Sequence, residues 1–199
     1  FSPDGNCLLY NAYFAETNTL EAVVLDLTEE TKNRIPLPPN GGAKGFDGEN
    51  ILIQETVNEK TTLSVYSLNG GERKQYAFGK AKSVTGCGRY YAVYDFGQHN
   101  GSSVTVLDIA GLKEYEVTLT SPEEGRRFLL SGDGETLLSY DDAGTFRVYD
   151  VKKNRQSASF DIGNIPFAGM VFSCLDADHK TVYLPLGDQG QYELAAFKY

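Results

Sequence analysis

The sequence has no tryptophan, only one methionine, two histidines and three cysteines among 199 residues. The cysteines Cys7, Cys87 and Cys174 are too few, too scattered and odd in number for a disulfide framework. Their scarcity favours a reducing compartment such as the cytoplasm, and an extracytoplasmic location stays open. The histidines His99 and His179 fall in different kinds of predicted loop, so we expect them to lie apart on the surface.

Several motifs that carry chemistry are also missing from the sequence. It has no phosphate-binding glycine loop, no Gly-x-Ser-x-Gly elbow, no His-Glu-x-x-His and no Cys-x-x-Cys. No apolar run of about 18 residues is present, so we expect no membrane insertion in this segment. The net charge of −9 repels phosphate backbones, which excludes nucleic acid as a favoured partner. Because the chain begins at Phe1 without an initiator methionine, we expect it to be cut from a longer polypeptide.

What the sequence does contain is a repeat. A glycine-centred turn, an apolar run, a polar loop and a second apolar run recur at steps of 43, 40, 46 and 44 residues, counted from Gly5 to Gly48, Gly88, Gly134 and Asp178. Hydrophobic residues make up 41% and aromatic residues 12% of the chain, which is typical of a folded, strand-rich protein. Self-similarity at this period in strand-rich sequence indicates propeller blades.

The strand pattern within the repeat predicts an all-β fold, a β-propeller of four-stranded antiparallel blades with strands a to d. In the second blade we expect strand a, the weakest by pattern, at residues 43–46 and the b–c loop at residues 56–62, and in the fifth blade we expect strand a at residues 170–174. We expect one domain over residues 1–199, with five blades at approximately 1–38, 43–79, 81–119, 127–163 and 170–199. The first blade has almost none of its strand a and the last lacks strand d. We therefore expect the chain to belong to a larger ring of about six to eight blades, and the alternative is a five-bladed ring with an atypical closure.

The turn Ser2-Pro3-Asp4-Gly5, followed by Leu8-Leu9-Tyr10 and Val24-Leu25-Asp26-Leu27, resembles the repeat of WD40-like propellers, including the TolB-type variety. A second copy is Gly132-Asp133-Gly134 with Val148-Tyr149-Asp150-Val151. The resemblance covers nearly the whole chain. It departs from the WD40 pattern because the sequence has no Trp-Asp dipeptide and no Gly-His pair. Propellers of this class are most often non-enzymatic interaction scaffolds, and the resemblance implies a protein or peptide partner.

Acidic residues recur near the end of strand b. Because the b–c hairpins emerge at one end of a propeller, these carboxylates could form a partial ring that holds a divalent cation or receives a basic partner. The alternative is that acidic residues are simply exposed at strand ends, where polar residues usually lie. The candidate positions are Glu16, Glu55, Asp95, Asp141 and Asp188.

The longest b–c loop carries a different candidate. Phe96 and His99 lie in a glycine-containing stretch and could anchor a partner, as could Asp141 and Asp142 in the next b–c loop. The leading hypothesis is therefore a scaffold that binds a protein or peptide through its loop face, without catalytic residues or a cofactor. The alternatives are a metal-dependent hydrolase of the lactonase type, for which a divalent cation would be needed, and the accessory propeller of a larger enzyme.

Overall fold

The computed structural model describes residues 1–2, 4–68, 71–95, 103–120, 127–141, 144–162, 174–176, 178–188 and 191–199. Within these residues the chain forms five antiparallel sheets, which we call blades 1 to 5, and each blade meanders from strand to sequence-adjacent strand. Blades 2, 3 and 4 have four strands, whereas blades 1 and 5 have three. Among the described residues, no helix has the length and apolar character needed to cross a bilayer.

The strand bounds follow the predicted repeat closely. Blade 1 contains β1 (Cys7–Phe14), β2 (Thr19–Asp26) and β3 (Lys32–Pro36). Blade 2 contains β4 (Gly41–Phe46), β5 (Asn50–Val57), β6 (Lys60–Ser67) and β7 (Glu72–Phe78). Blade 3 contains β8 (Lys82–Cys87), β9 (Tyr90–Asp95), β10 (Ser103–Asp108) and β11 (Lys113–Thr118). Blade 4 contains β12 (Arg127–Leu130), β13 (Thr136–Tyr140), β14 (Thr145–Asp150) and β15 (Arg155–Asp161). Blade 5 contains β16 (Cys174–Asp176), β17 (Thr181–Asp188) and β18 (Gln191–Lys198).

Neighbouring blades pack face to face, which explains why the strands are apolar at consecutive positions. Ile51, Leu52 and Ile53 follow one another in β5 and all are buried. Ile51 and Ile53 belong to the core between blades 1 and 2, whereas Leu52 belongs to the core between blades 2 and 3. Two further cores fill the spaces between blades 3 and 4 and between blades 4 and 5. A strand buried on both faces needs apolar residues on both faces, as the sequence pattern predicted.

The first strands of the blades lie next to one another. β4 contacts both β1 and β8, and β12 contacts both β8 and β16. The last strand of blades 1 to 4 is an outer edge, so Pro36, at the end of β3, lies where a missing backbone N–H costs little.

One backbone hydrogen bond recurs in all five blades and identifies equivalent residues in them. The residue that follows strand c donates its N–H to the carbonyl of the residue that precedes strand b. The five pairs are Leu27 to Asn6 (2.8 Å), Leu68 to Glu49 (2.9 Å), Ile109 to Arg89 (3.0 Å), Val151 to Glu135 (2.9 Å) and Tyr199 to Lys180 (3.0 Å). Residues at the same distance from these acceptors are therefore structurally equivalent.

The Ser-x-Asp-Gly turns of blades 1 and 4 have the same hydrogen bonds. In blade 4, Ser131 donates its hydroxyl proton to Asp133 (2.5 Å) and accepts the N–H of Thr136 (2.9 Å). In blade 1, the Ser2 hydroxyl makes the corresponding bonds to Asp4 (2.5 Å) and from Cys7 (2.9 Å). These motif residues therefore have a structural task, which is to hold the a–b turn closed.

We expect Ser131→Ala to destabilise the protein by about 1–3 kcal/mol, because Ser131 is buried and its loss leaves the Thr136 N–H without that partner. The measurement is the free energy of unfolding from urea denaturation. Ser159→Ala is the matched control, since Ser159 is exposed on β15, and it should change the free energy by less than about 0.5 kcal/mol. Equal midpoints for both variants would contradict the assigned role of the Ser131 hydroxyl.

Candidate functional site

Three of the five predicted acidic positions are equivalent. Glu55, Asp95 and Asp141 each lie six residues after the recurrent carbonyl acceptor, in blades 2, 3 and 4. Ala12 and Leu186 occupy this position in blades 1 and 5. The predicted five-membered acidic series is thus a row of three, which we call the acidic row.

The two remaining acidic candidates lie outside the acidic row. Glu16 is exposed in the β1–β2 turn. Asp188 ends β17, and its side chain lies outside the described part of the structure.

Two members of the acidic row are paired with cations of their own blade. The Lys82 ammonium lies 2.5 Å from the Asp95 carboxylate, and both side chains are less than one-fifth exposed. The Arg147 guanidinium lies 3.1 Å from Asp141, which also accepts the N–H of Thr145 at 3.0 Å. The charges of Asp95 and Asp141 are therefore neutralised, and both carboxylates are held in a fixed orientation.

Glu55, the third member, differs from the other two. It is half-buried, and within the described part of the chain its carboxylate has neither a hydrogen bond nor an ion pair. It extends the face of β5 that begins with Ile51 and Ile53, so it lies on the side of blade 2 that faces blade 1. A half-buried carboxylate of this kind is available to a partner group that supplies a positive charge.

Glu55 lines a cleft of about 280 Å³ between blades 1 and 2, which we call the Glu55 cleft. One wall is apolar and comes from the end of blade 1 together with β5, and the other wall carries hydroxyl and amide groups of β6 and β7. The lining residues are Pro36, Leu37, Pro38, Ile53, Glu55, Thr62, Ser64, Tyr66 and Gln75.

The polar wall of the Glu55 cleft is internally connected. The Gln75 amide donates to the Ser64 hydroxyl at 3.3 Å, and the Tyr66 hydroxyl donates to Glu72 at 3.3 Å. Burial, followed by the negative charges of Glu72 and Glu55, raises the pKa of Tyr66. Tyr66 therefore stays a neutral donor, and the negative charge of the lining is that of Glu55.

No three His, Cys, Asp or Glu side chains of the described residues lie close enough together to hold a metal ion. The carboxylates of Asp95 and Asp141 form ion pairs with Lys82 and Arg147 instead. Because the Asp188 side chain lies outside the description, the divalent-cation site and the lactonase alternative stay predictions.

The structure also describes His179 and Cys7, two further residues considered in the sequence. His179 is exposed in the β16–β17 turn, where its ring nitrogen lies 2.9 Å from Asp176. Cys7 is a half-buried free thiol, and burial, with the nearby Asp26 and Asp4 charges, raises its pKa. Phe96, His99 and Asp142 lie outside the described residues, so their proposed partner contacts stay predictions.

Comparison with solved structures decides the architecture. The β-propeller domain of the Trilobed protease from Pyrococcus furiosus, whose structure is reported to have an open velcro topology, superposes with a TM-score of 0.67 over 99% of this chain. The fold is a β-propeller. Sequence identity to that domain is 17%, which shows the fold alone, and the present propeller chain spans 65% of the length of the matched chain. No protein-family model and no curated protein matches this propeller by sequence.

The Glu55 cleft was not predicted, because the acidic positions look alike in the sequence. The difference lies in neighbouring strands, where Ser64 and the Pro36–Pro38 segment leave space beside Glu55. In an alignment of strand c, blade 2 has a serine where blade 4 has an arginine, but only the strand register of the folded sheets shows that this position lies beside the acidic row.

Proposed function

We propose that this propeller is a non-enzymatic interaction module that receives a protein or peptide partner at the end where its b–c hairpins lie. The observation that carries the proposal is the state of Glu55, a half-buried carboxylate that lines an open cleft and is paired with no cation among the described residues. The WD40-like and TolB-type resemblance is in keeping with this role.

The dimensions of the Glu55 cleft favour recognition of a side chain over turnover of a whole substrate. The cleft, at about 280 Å³, lies at the small end of the range of about 300–1,000 Å³ that is usual for sites of small molecules and cofactors. Asp95 and Asp141 are held by ion pairs and by a backbone N–H, which suits a rigid rim around a docking site.

The test is selection of peptides from a random displayed library on the immobilised propeller. We expect the selected peptides to bind the wild-type protein and to lose at least about tenfold in affinity for Glu55→Gln, which removes the charge and keeps the shape. Glu49→Gln is the matched control, because Glu49 is exposed at the opposite end of blade 2 and its substitution changes the net charge equally. Peptides that bind all three proteins equally would refute a docking role for this cleft.

A second candidate function is that of an accessory propeller in a larger enzyme. It is favoured by one observation, the structural similarity to a propeller domain that belongs to a protease. The full reading frame tests it, because a hydrolase domain in the same polypeptide would support the accessory role. A reading frame without any catalytic domain would remove it.

A further inference from the structure

Two members of the acidic row show which kind of group binds a carboxylate at this position. Strand a supplies the cation in blade 3, where Lys82 is paired in register with Asp95 across β8 and β9. Strand c supplies it in blade 4, where Arg147 of β14 reaches Asp141. A basic side chain therefore lies beside the carboxylate in each of these two blades, although it comes from a different strand each time.

Blade 2 has small residues at both of these places. Gly41 is paired with Glu55 across β4 and β5, so it stands where blade 3 has Lys82. Ser64 is paired with Ile53, just as Arg147 is paired with Ser139 in blade 4, so Ser64 stands where blade 4 has Arg147. The Glu55 cleft is thus the space that a basic side chain fills in the other two blades.

The chain cannot fill this space from strand a. A Cβ on Gly41 would lie 2.4 Å from the Pro38 side chain, which blocks any larger residue there. Neither strand a nor strand c of blade 2 therefore supplies a basic side chain beside Glu55.

We infer that the Glu55 cleft binds an arginine or lysine side chain of the partner, an inference that rests on the proposed interaction function. The aliphatic stem of the basic residue packs along Pro36 and Pro38, as such stems do on apolar surfaces. Its charged head meets the Glu55 carboxylate, and the hydroxyls of Thr62 and Ser64 accept the remaining N–H groups. The protein's net charge of −9 favours the encounter with a basic segment.

The direct test uses capped pentapeptides that differ only at the central residue, which is arginine, lysine, citrulline or glutamate. Citrulline keeps the shape of arginine without its charge. Followed by NMR titration, we expect the arginine and lysine peptides to bind at least about tenfold more tightly than the citrulline peptide. In Glu55→Gln this preference should vanish, and in Glu49→Gln it should persist. A citrulline peptide that binds wild-type protein as well as the arginine peptide would overturn the inference.

A second variant supplies the basic group from within the chain. Ser64→Arg places an arginine at the position equivalent to Arg147 and should occupy the Glu55 cleft, lowering affinity for the arginine peptide at least about tenfold. Thr28→Arg, in the exposed β2–β3 turn at the end of blade 1 opposite the b–c hairpins, adds the same charge elsewhere and should leave affinity unchanged. Folding is checked by thermal unfolding, and if Ser64→Arg does not fold, the citrulline comparison with Glu55→Gln still decides.

The outcomes separate the two proposals. Selected peptides that require Glu55 but contain no basic residue would leave the interaction module standing and overturn the inference about its partner. If neither the library nor the pentapeptides bind, both proposals fail. Basic peptides whose binding is unaffected by Glu55→Gln would show attraction to the acidic surface in general and would overturn the specific site.

Discussion

Gly86→Ala is expected to destabilise the propeller by about 3–5 kcal/mol, among the largest effects of any single methyl group in this chain. Gly86 lies in β8 with a φ of 138°, a conformation that residues with a side chain rarely adopt. An added Cβ would lie 2.3 Å from the backbone oxygen of Tyr90 and 2.9 Å from the Cα of Tyr91. Because both neighbours are backbone atoms of the paired strand β9, the clash can be relieved only by moving the ladder itself.

The measurement is urea denaturation of Gly86→Ala beside the matched variant Gly79→Ala. Gly79 is exposed between blades 2 and 3, and an added Cβ there meets no atom within 4 Å. Gly79→Ala should therefore change the free energy of unfolding by less than about 1 kcal/mol, with a small gain from a less flexible unfolded chain. A Gly86→Ala protein as stable as Gly79→Ala would show that the β8–β9 hairpin adapts to a side chain.

The blade-by-blade architecture could be predicted from the sequence because the period is carried by local features. Turn residues such as Asp133 and Gly134 form the same contacts wherever they occur, so each copy of the motif reports a strand boundary without long-range information. The all-β class and the four-stranded blades are confirmed. The larger ring of about six to eight blades stays a prediction.

Strand bounds in blade 2 were predicted less well. The sequence predicted a b–c loop at residues 56–62, because threonine, asparagine and lysine dominate that stretch. The ladder instead runs to Val57 and resumes at Lys60 around a tight turn. Asn58 and Glu59 both have positive φ there, so the turn forms without the glycine that usually marks it. Thr56 and Thr61 form a cross-strand pair, with their hydroxyl oxygens 3.1 Å apart. In the sequence alone, two threonines in a polar stretch indicate a loop.

The weakest predicted strand, at residues 43–46, is β4 and begins earlier, at Gly41. The glycine at position 45 is required by a contact with another blade. A Cβ on Gly45 would lie 2.2 Å from the Tyr91 hydroxyl oxygen of blade 3. Asn11 of blade 1 hydrogen-bonds both the N–H (3.0 Å) and the carbonyl (3.3 Å) of Ala43. Contacts with two other blades therefore define this strand, and no local pattern could report them.

Of the strand predicted at residues 170–174, only Cys174 lies within the described residues, where it opens β16 (Cys174–Asp176). The residues that precede Cys174 lie outside the description.

The candidate site shows the same division between local and tertiary information. Acidic residues after strand b were visible in the sequence, but their pairing was not. Lys82 is 13 residues from Asp95, and Arg147 is six residues from Asp141, so each ion pair depends on strand register. Among the described residues, the Glu55 carboxylate has no cation, because Gly41 and Ser64 stand where the other two blades have a basic side chain. Register is set by the folded sheets, and for this reason the row could be predicted while its one open position could not.

Asp108→Ala is the second substitution with a large expected effect, a loss of about 2–3 kcal/mol. Asp108 is 2% exposed at the end of β10 and accepts two hydrogen bonds from the Arg89 guanidinium, both at 2.7 Å. It also accepts the N–H of Gly111 at 2.8 Å, which closes the c–d turn. Removing the carboxylate leaves these donors without their acceptor and opens a gap beside the turn.

The same contacts predict a dependence of stability on pH. Hydrogen bonds from Arg89, followed by that from Gly111, lower the pKa of Asp108 below its ordinary value of 3.8, although burial opposes them. A carboxyl group whose pKa is lower in the folded state stabilises the fold above the unfolded pKa, and this contribution is lost as the pH falls through the folded pKa. The difference in unfolding free energy between wild type and Asp108→Ala should therefore be full at pH 7 and shrink below about pH 3.8.

Asp150→Ala is the matched control, because Asp150 is the equivalent residue of blade 4 but is more exposed and binds the flexible Lys153. Its effect should be smaller than that of Asp108→Ala, since a solvated side chain can replace lost contacts with water. Denaturant unfolding of the three proteins at pH 7, 4 and 2.5 measures both the cost and its pH dependence. A difference between wild type and Asp108→Ala that stays constant down to pH 2.5 would mean that packing, and not the Arg89 ion pair, is what Asp108 contributes.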